Sequence, residues 1–227
     1  MCSFFKLTSK KLLYWTKFCK FLGIYTGTRS LRNFFIRRRL APYEFSIFSN
    51  NCIGGVFLHD AGKRFNSPTV NLSMSGEGFM KFLENPRDFS NADFEYVEQN
   101  INPHPHGQLH GVVVNFVHYK SLEEGMEKWK KRSERILWDH IYVVATGHDG
   151  LEVPELMERF DKIPYKNKVM FTFERWPQYS WAKYVKCAHG VIRPFTEFAT
   201  ITGERFYETP FSLSKWIKQC EDEMISR

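Results

Sequence analysis

The chain of 227 residues lacks several patterns that define common protein classes. Its five cysteines are odd in number, widely spaced and never in a Cys-x-x-Cys pair, so neither a disulfide framework nor a zinc knuckle is indicated. Such cysteines fit a reducing compartment best. There is no P-loop, no complete G-x-G-x-x-G pattern and no Asp-x-Asp motif. These absences argue against nicotinamide chemistry, P-loop nucleotide chemistry and metal-dependent glycosyl transfer.

Metal binding is not expected either. His104-Pro105-His106, with His110 nearby, is the densest group of histidines, and we predict that it lies in an exposed loop. No carboxylate or cysteine joins these histidines at a spacing that is familiar from metal sites.

Acidic residues are absent from the first 43 positions, which contain ten Lys and Arg residues. This asymmetry explains the net charge of +7, because the rest of the chain has 22 basic against 25 acidic residues. The body of the protein is therefore not basic, and nucleic acid is not an expected partner. We divide the chain into a basic N-terminal extension, residues 1–40, and a single α/β domain, residues 41–227.

The extension has the pattern of an amphipathic helix followed by a basic cluster, Arg37-Arg38-Arg39. Lysines interrupt the apolar run too often for it to span the ~30 Å core of a bilayer, and there is no secretory signal. We expect residues 1–39 to bind an anionic membrane surface, so that the protein is cytoplasmic and peripheral at the inner membrane. A helix that packs on the body or on a partner is the alternative. The predicted apolar face comprises Phe4, Phe5, Leu12, Trp15, Phe18, Cys19 and Leu22, and the opposite face Lys6, Lys10, Lys17 and Lys20.

From Tyr43 onward, segments rich in β-branched and aromatic residues alternate with helical segments. This alternation predicts an α/β fold with a mainly parallel sheet that is covered by helices. Because ligands of such sheets bind beyond the carboxyl ends of the strands, the loops 49–55, 118–121 and 146–150 are candidate site loops. The predicted strands are 43–49, 111–119, 140–146 and 168–173, and the predicted helices start near Ile53 or cover 77–83, 121–137, 154–163 and 212–224.

The loop after the first strand presents the leading nucleophile, Cys52. A helix that begins near Ile53 would favour a thiolate or an oxyanion through its free N–H groups. The amides of Asn50 and Asn51 are predicted donors to a developing negative charge, and glycines at 54 and 55 would let a substrate approach the backbone. A buried structural cysteine is the alternative interpretation.

Histidines are the predicted bases. His118 lies near the end of an apolar strand, and His148 follows the next strand with Asp149 beside it to orient it. We therefore take Cys52, His118 and His148 as catalytic candidates. The substrate-binding candidates are Ser49, Asn50, Asn51, Gly54, Gly55, His59, Ser67, Thr69 and Asp149.

The segment from Phe45 to Gly55, FSIFSNNCIGG, resembles the start of a bacterial family, DUF1919, a domain of unknown function whose members are labelled exopolysaccharide biosynthesis proteins. The resemblance covers about residues 33–190 in order. It implies a role in surface polysaccharide synthesis, with a saccharide or a lipid-linked saccharide as the substrate. The later blocks that carry it are 65–70, 82–86, 117–121, 129–132 and 166–169.

A distantly similar group of capsule acetyltransferases also has an Asn-Cys pair after the first strand of an α/β fold, and binds coenzyme A. This similarity favours transfer of an acyl group to a sugar, with coenzyme A or acetyl-CoA as the cofactor. Those enzymes have Gln after the cysteine, where this chain has Ile53. The alternatives are a glycosyl- or sugar-phosphate transferase and a non-enzymatic assembly factor.

Overall fold

The structure is a computed structural model, and it describes residues 24–97, 104–186 and 195–226. Its centre is a sheet of four parallel strands, β1 (Ser46–Phe48), β4 (Ile141–Thr146), β5 (Lys168–Thr172) and β6 (Ala182–Tyr184). They lie side by side in the order β1-β4-β5-β6. The predicted α/β fold with a mainly parallel sheet is therefore confirmed.

Side chains of the central strands alternate between two buried cores, one on each face of the sheet. Val143 and Met170 lie in the first core, whereas Tyr142, Val144 and Phe171 lie in the second. Apolar residues at every strand position are expected when helices cover both faces of a parallel sheet. The first core is closed by α3 (Gly76–Glu84), α4 (Pro86–Asn91), α5 (Leu122–Ser133) and α6 (Pro154–Lys162), and the second by α1 (Ile24–Leu40), α2 (Ile53–Asp60) and α7 (Leu213–Ile225).

The second part of the predicted extension is a helix that packs on the body. In α1, Ile36 and Leu40 enter the second core. The lysine-rich face predicted for residues 4–22 lies outside the described residues. Within the part of the chain that the structure describes, no helix is both long and apolar enough to cross a membrane.

Buried ion pairs join α1 to the body. Arg29 donates to the carboxylate of Asp60 at 2.6 Å and to that of Glu208 at 2.6 Å, and Arg205 donates to Asp60 at 2.8 Å. The side chain of Asp60 is only 3% exposed. Burial alone would raise the pKa of Asp60, but the hydrogen bonds and charges of Arg205 and Arg29 outweigh it and lower the pKa.

A separate antiparallel hairpin corrects the predicted strand at 111–119. The strands β2 (His106–Leu109) and β3 (Val112–Asn115) pair only with each other as strands, so β3 is not part of the parallel sheet. The turn consists of His110 and Gly111, with φ of 47° and 75°, as a type I′ hairpin requires. The prediction of an exposed loop around His104–His106 is also partly wrong, because His106 begins β2 and is buried.

Helix starts agree with the sequence better than helix ends. Ser121 caps α5 as predicted, since its Oγ accepts a hydrogen bond from the amide of Glu124 at 3.3 Å. The helix ends at Ser133 and not at Leu137. A short 3₁₀ helix, Phe206–Glu208, precedes α7.

Candidate functional site

The loops after β1 and β4 are joined by the side chain of Asn50. Its Oδ1 accepts a hydrogen bond from the amide of Thr146 at 3.0 Å, and its Nδ2 donates to the carbonyl oxygens of Thr146 and His148 at 3.1 and 3.4 Å. Asn50 is fully buried. Its amide is therefore committed to backbone groups, so it fixes the two loops beside each other and has no donor left for an oxyanion.

Asn51 makes hydrogen bonds both to the start of α2 and to residues at the end of β4 and in the loop after it. Its Oδ1 accepts a hydrogen bond from the amide of Ile53 at 3.2 Å, which satisfies one of the free N–H groups of the first turn. Its Nδ2 donates to Oγ1 of Thr146 at 2.6 Å and to the carboxylate of Asp149 at 3.3 Å. Cys52, between Asn51 and Ile53, is thereby fixed at the N-terminus of α2.

The thiol of Cys52 is paired with a histidine. Its Sγ lies 3.1 Å from Nε2 of His118, and Cys52 is half-buried while His118 is exposed. A nucleophile within hydrogen-bond reach of an imidazole is the basic arrangement of a nucleophile–base pair. The sequence left open which histidine lies close to Cys52 and favoured His148, whereas in the structure the ring of His118 lies within hydrogen-bond reach of the thiol.

Burial and a neighbouring charge favour the protonated form of this thiol. Burial raises the pKa of Cys52, and the negative charge of Asp149 raises it further. Burial also raises the pKa of Asp149, although part of its side chain contacts solvent. Burial and the charge of Asp149 thus favour the neutral thiol over a preformed thiolate.

A cavity of about 370 Å³ opens beside the thiol. His148 lines it, with Nδ1 3.1 Å from Oγ1 of Thr146 and its ring against the rings of Phe173 and Phe195 at 4.7 and 4.8 Å. An apolar cavity with a few polar groups is the usual form of a small-molecule site. Its lining residues are Asn51, Cys52, Ile53, Thr146, His148, Asp149, Phe195 and Thr196.

Arg132 contacts Tyr119, the residue that follows His118. Its guanidinium donates to the carbonyl oxygen of Val70 at 2.9 Å and to the hydroxyl of Tyr119, which itself donates to Val70 at 3.1 Å. Arg132 is buried, and no described carboxylate pairs with it. Sequence reasoning missed this residue, because an arginine in a charged helix has the pattern of a solvated one.

Comparison with known proteins shows which family this chain is similar to. Residues 25–218 match the family model described as a domain of unknown function, DUF1919. The chain belongs to this family. An uncharacterized protein of Haemophilus influenzae is 32% identical to it over 202 residues, which cover 86% of this chain and 97% of that protein. Neither description names an activity, so the exopolysaccharide role stays a prediction.

Three predicted substrate-binding residues of this DUF1919 chain lie beneath the loop and not in the cavity. Ser49, Ser67 and Thr69 are fully buried. Thr69 Oγ1 accepts from the amide of Ser49 at 3.0 Å and lies 3.0 Å from Oγ of Ser67. These hydroxyls satisfy the backbone where the loop leaves β1, so we correct their role from substrate contact to loop support.

The two glycines also have a packing role. A Cβ on Gly54 would lie 2.5 Å from Oγ of Ser49, and a Cβ on Gly55 would lie 2.7 Å from Oδ1 of Asn71. Both glycines are buried. They let α2 approach β1 and the neighbouring loop closely, which corrects the prediction that they admit substrate to the backbone.

His59 does not join the site. It lies in the last turn of α2, with 78% of its side chain exposed, and the cavity beside Cys52 does not include it. Sequence position placed His59 near Cys52, but seven residues along a helix carry it about 10 Å from the N-terminus. Among residues 24–97, 104–186 and 195–226, no three His, Cys, Asp or Glu side chains are grouped so that they could hold a metal ion.

Proposed function

We propose that this protein is a bacterial surface-polysaccharide enzyme that transfers an acyl group to a sugar through Cys52. The observation that carries the proposal is the 3.1 Å contact between the thiol of Cys52 and Nε2 of His118 beside an open cavity. A thiol–imidazole pair at the carboxyl edge of a parallel sheet is suited to acyl transfer, because the sulfur attacks a carbonyl carbon and then leaves it again.

His118 acts as the base in both halves of the reaction. Its Nε2 takes the proton of the thiol while Sγ bonds to the acyl carbonyl carbon, and the donor's leaving group takes this proton as its bond to the acyl group breaks. A sugar hydroxyl then gives its proton to Nε2 and bonds to the same carbon. The carbon–sulfur bond breaks, and the sulfur regains a proton from His118. This role requires the His118 tautomer with its proton on Nδ1.

Backbone groups of α2 support the negative charge that develops on the carbonyl oxygen. The side-chain amides of Asn50 and Asn51 are engaged by Thr146, His148 and Asp149. We therefore assign this support to the N-terminus of α2, which faces the cavity at Cys52 and Ile53 and where the helix dipole favours negative charge.

Coenzyme A fits this site in part. The cavity beside Cys52, with Ile53 and Phe195 in its walls, has room for an acyl thioester and the adjacent pantetheine end. Among the described residues, no Lys or Arg lines it, so phosphates would lie outside. When bound, acetyl-CoA would supply an activated acyl group, and Asn51, Ile53 and Thr196 would contact its thioester end.

The acceptor is proposed to be a saccharide or a lipid-linked saccharide at the cytoplasmic face of the inner membrane. The exposed carboxylate of Asp149 and the ring of Phe195 suit a sugar, since a carboxylate accepts from hydroxyls and a ring packs against apolar C–H groups. The basic residues at positions 1–43, apart from the buried and ion-paired Arg29, support the location at an anionic surface.

The proposal is tested by looking for the acyl group on the sulfur. The full-length protein is incubated with acetyl-CoA and examined by intact-mass and peptide mass spectrometry. One acetyl group is expected on Cys52, and Cys52→Ala should lose it. Cys220→Ala is the matched control, because Cys220 is half-buried on α7, away from the cavity, and its removal should leave acetylation unchanged.

His118→Ala should slow acetylation about 10²-fold or more, as expected for loss of a general base. Acetylation of Cys220 alone, or the absence of any acyl adduct together with a melting shift caused by nucleotide sugars, would contradict the proposal and favour glycosyl or sugar-phosphate transfer. Full complementation of a capsule-deficient strain by Cys52→Ala would favour a non-enzymatic assembly factor.

A further inference from the structure

Helix α1 has a second apolar face that points away from the body. Leu31, Phe34 and Phe35 are 60%, 54% and 54% exposed, and the rings of Phe34 and Phe35 pack edge to face at 5.5 Å. Residues three and four positions apart share a helix face, so these three form one patch with the exposed Arg38. The buried residues Ile36 and Leu40 lie on the opposite side of the helix. We call the exposed set, Leu31, Phe34, Phe35 and Arg38, the outer face.

Positive charge surrounds the outer face. Helix α1 contains five arginines and no acidic residue. A cavity of about 450 Å³ beside Phe35 is lined by Arg32, Arg39 and Lys215. Two carboxylates also line it, but Glu208 is paired with the buried Arg29 at 2.6 Å and Glu204 lies 3.7 Å from Arg32. The cleft therefore keeps an excess of cations next to three exposed apolar side chains.

We infer that the outer face docks on an anionic lipid bilayer, with its rings in the interfacial layer and the cations of the cleft against headgroup phosphates. Large apolar side chains on one side and arginines around them are the composition of helices that lie in the membrane interface. Charge selects a bilayer over a second copy of this chain, because two copies would bring two arginine-rich helices together. This inference rests on the proposed membrane location but not on the chemistry at Cys52.

The geometry makes the docking helix part of the folded body. The ion pairs of Arg29 with Asp60 and Glu208 hold α1 from the side opposite the outer face. A bilayer bound by Leu31 and Phe34 would therefore orient the whole α/β domain, and not only tether it. An acceptor carried on a lipid would then meet a domain of fixed orientation.

Vesicle binding of the full-length protein tests the inference. A triple variant, Leu31→Ser, Phe34→Ser and Phe35→Ser, is compared with wild type on phosphatidylglycerol–phosphatidylcholine vesicles and on phosphatidylcholine vesicles. We expect wild type to prefer the anionic vesicles, and the triple variant to bind them at least about tenfold more weakly, because half-exposed apolar area is lost from the contact.

The matched control replaces three exposed apolar residues elsewhere, Tyr96→Ser, Val153→Ser and Ile225→Ser, and should bind as wild type does. All six positions are exposed, so equal melting temperatures verify the fold. Undiminished binding by the triple variant, or equal binding of wild type to both vesicle types, would overturn the inference. So would a wild-type dimer that the triple variant converts to a monomer, because the outer face would then be an interface between copies. Cys52→Ala should bind vesicles normally, which separates this result from the test of the chemistry.

Discussion

The Sγ atom of Cys52 lies 3.1 Å from Nε2 of His118, although 66 residues separate them in the chain. Cys52 follows a strand of the parallel sheet, and His118 follows the second strand of the separate hairpin. The contact therefore depends on how two independent β structures pack together. Four substitutions test contacts that the structure assigns to this site and to the elements around it.

Removing the charge of Asp149 should make Cys52 more reactive. The negative charge of Asp149 raises the pKa of the thiol, so Asp149→Asn should lower it and increase the thiolate fraction at neutral pH. We expect alkylation of Cys52 by iodoacetamide to become severalfold faster, with the pH–rate profile shifted to lower pH. Asp139→Asn, an exposed carboxylate before β4 at the other end of the sheet, is the control. An unchanged profile in Asp149→Asn would show that Asp149 does not act on the thiol.

Tyr119→Phe should destabilise the protein through Arg132. The variant loses the hydroxyl that accepts from the buried guanidinium, which then keeps the carbonyl of Val70 as its acceptor. An unsatisfied buried donor costs about 1–3 kcal/mol, so the free energy of unfolding in urea should fall by that amount. Tyr96→Phe, at an exposed position, should change it by less than about 0.5 kcal/mol. Equal stability of the two variants would mean that Arg132 does not depend on Tyr119.

Asp60→Asn should lower the free energy of unfolding at neutral pH and make it depend less on pH in the acid range. The pKa of Asp60 is lowered in the folded protein, so its ionised form stabilises the fold above the ordinary carboxyl pKa of about 4, and this contribution is lost as pH falls through the lower folded value. At neutral pH we expect a loss of about 3–5 kcal/mol, because Arg29 and Arg205 lose a buried partner. Urea denaturation from pH 7 to pH 3 should show the difference from wild type shrinking in acid. Asp93→Asn, which is exposed, should run parallel to wild type.

Gly54→Ala should destabilise the loop that carries Cys52. The new Cβ would lie 2.5 Å from Oγ of Ser49 and 3.1 Å from Cγ2 of Ile47, and overpacking of this kind costs about 1–3 kcal/mol. Ser49→Ala in the same chain should recover part of this loss. Gly27→Ala in α1 is the matched control, since nothing lies within 4 Å of its added Cβ, and it should stabilise by about 0.5–1 kcal/mol. A Gly54→Ala protein as stable as wild type would contradict the packing assigned to this glycine.

The sequence contained enough information for the sheet and for the loop of the nucleophile. Runs such as 141–145 and 169–171 are apolar at every position, which is what strands buried on both faces require, and the Asn50-Asn51-Cys52 turn follows the first of the predicted strands. For the hairpin the same reasoning failed. Val113 is 39% exposed between the buried Val112 and Val114, but three valines in a row hide this alternation from the sequence.

The supporting residues were harder to find, for a physical reason. The sequence predicted that the amide of Asn50 donates to a developing negative charge. The structure shows that both ends of this amide bind the backbone around Thr146. Phe195 lines the cavity from a segment without periodicity, and Arg132 has its partners at Val70 and Tyr119, far away in sequence. Contacts between distant loops are not recorded in local patterns.

The hairpin origin of His118 has a consequence for control of the site. Asn51 holds the loop of the thiol against the sheet, whereas the imidazole of His118 follows the hairpin. A small displacement of β2 and β3 would therefore separate Sγ of Cys52 from Nε2 of His118 without moving any strand of the central sheet. A ligand that binds the hairpin, such as an incoming acceptor, would therefore determine whether His118 lies close enough to take the proton of the Cys52 thiol.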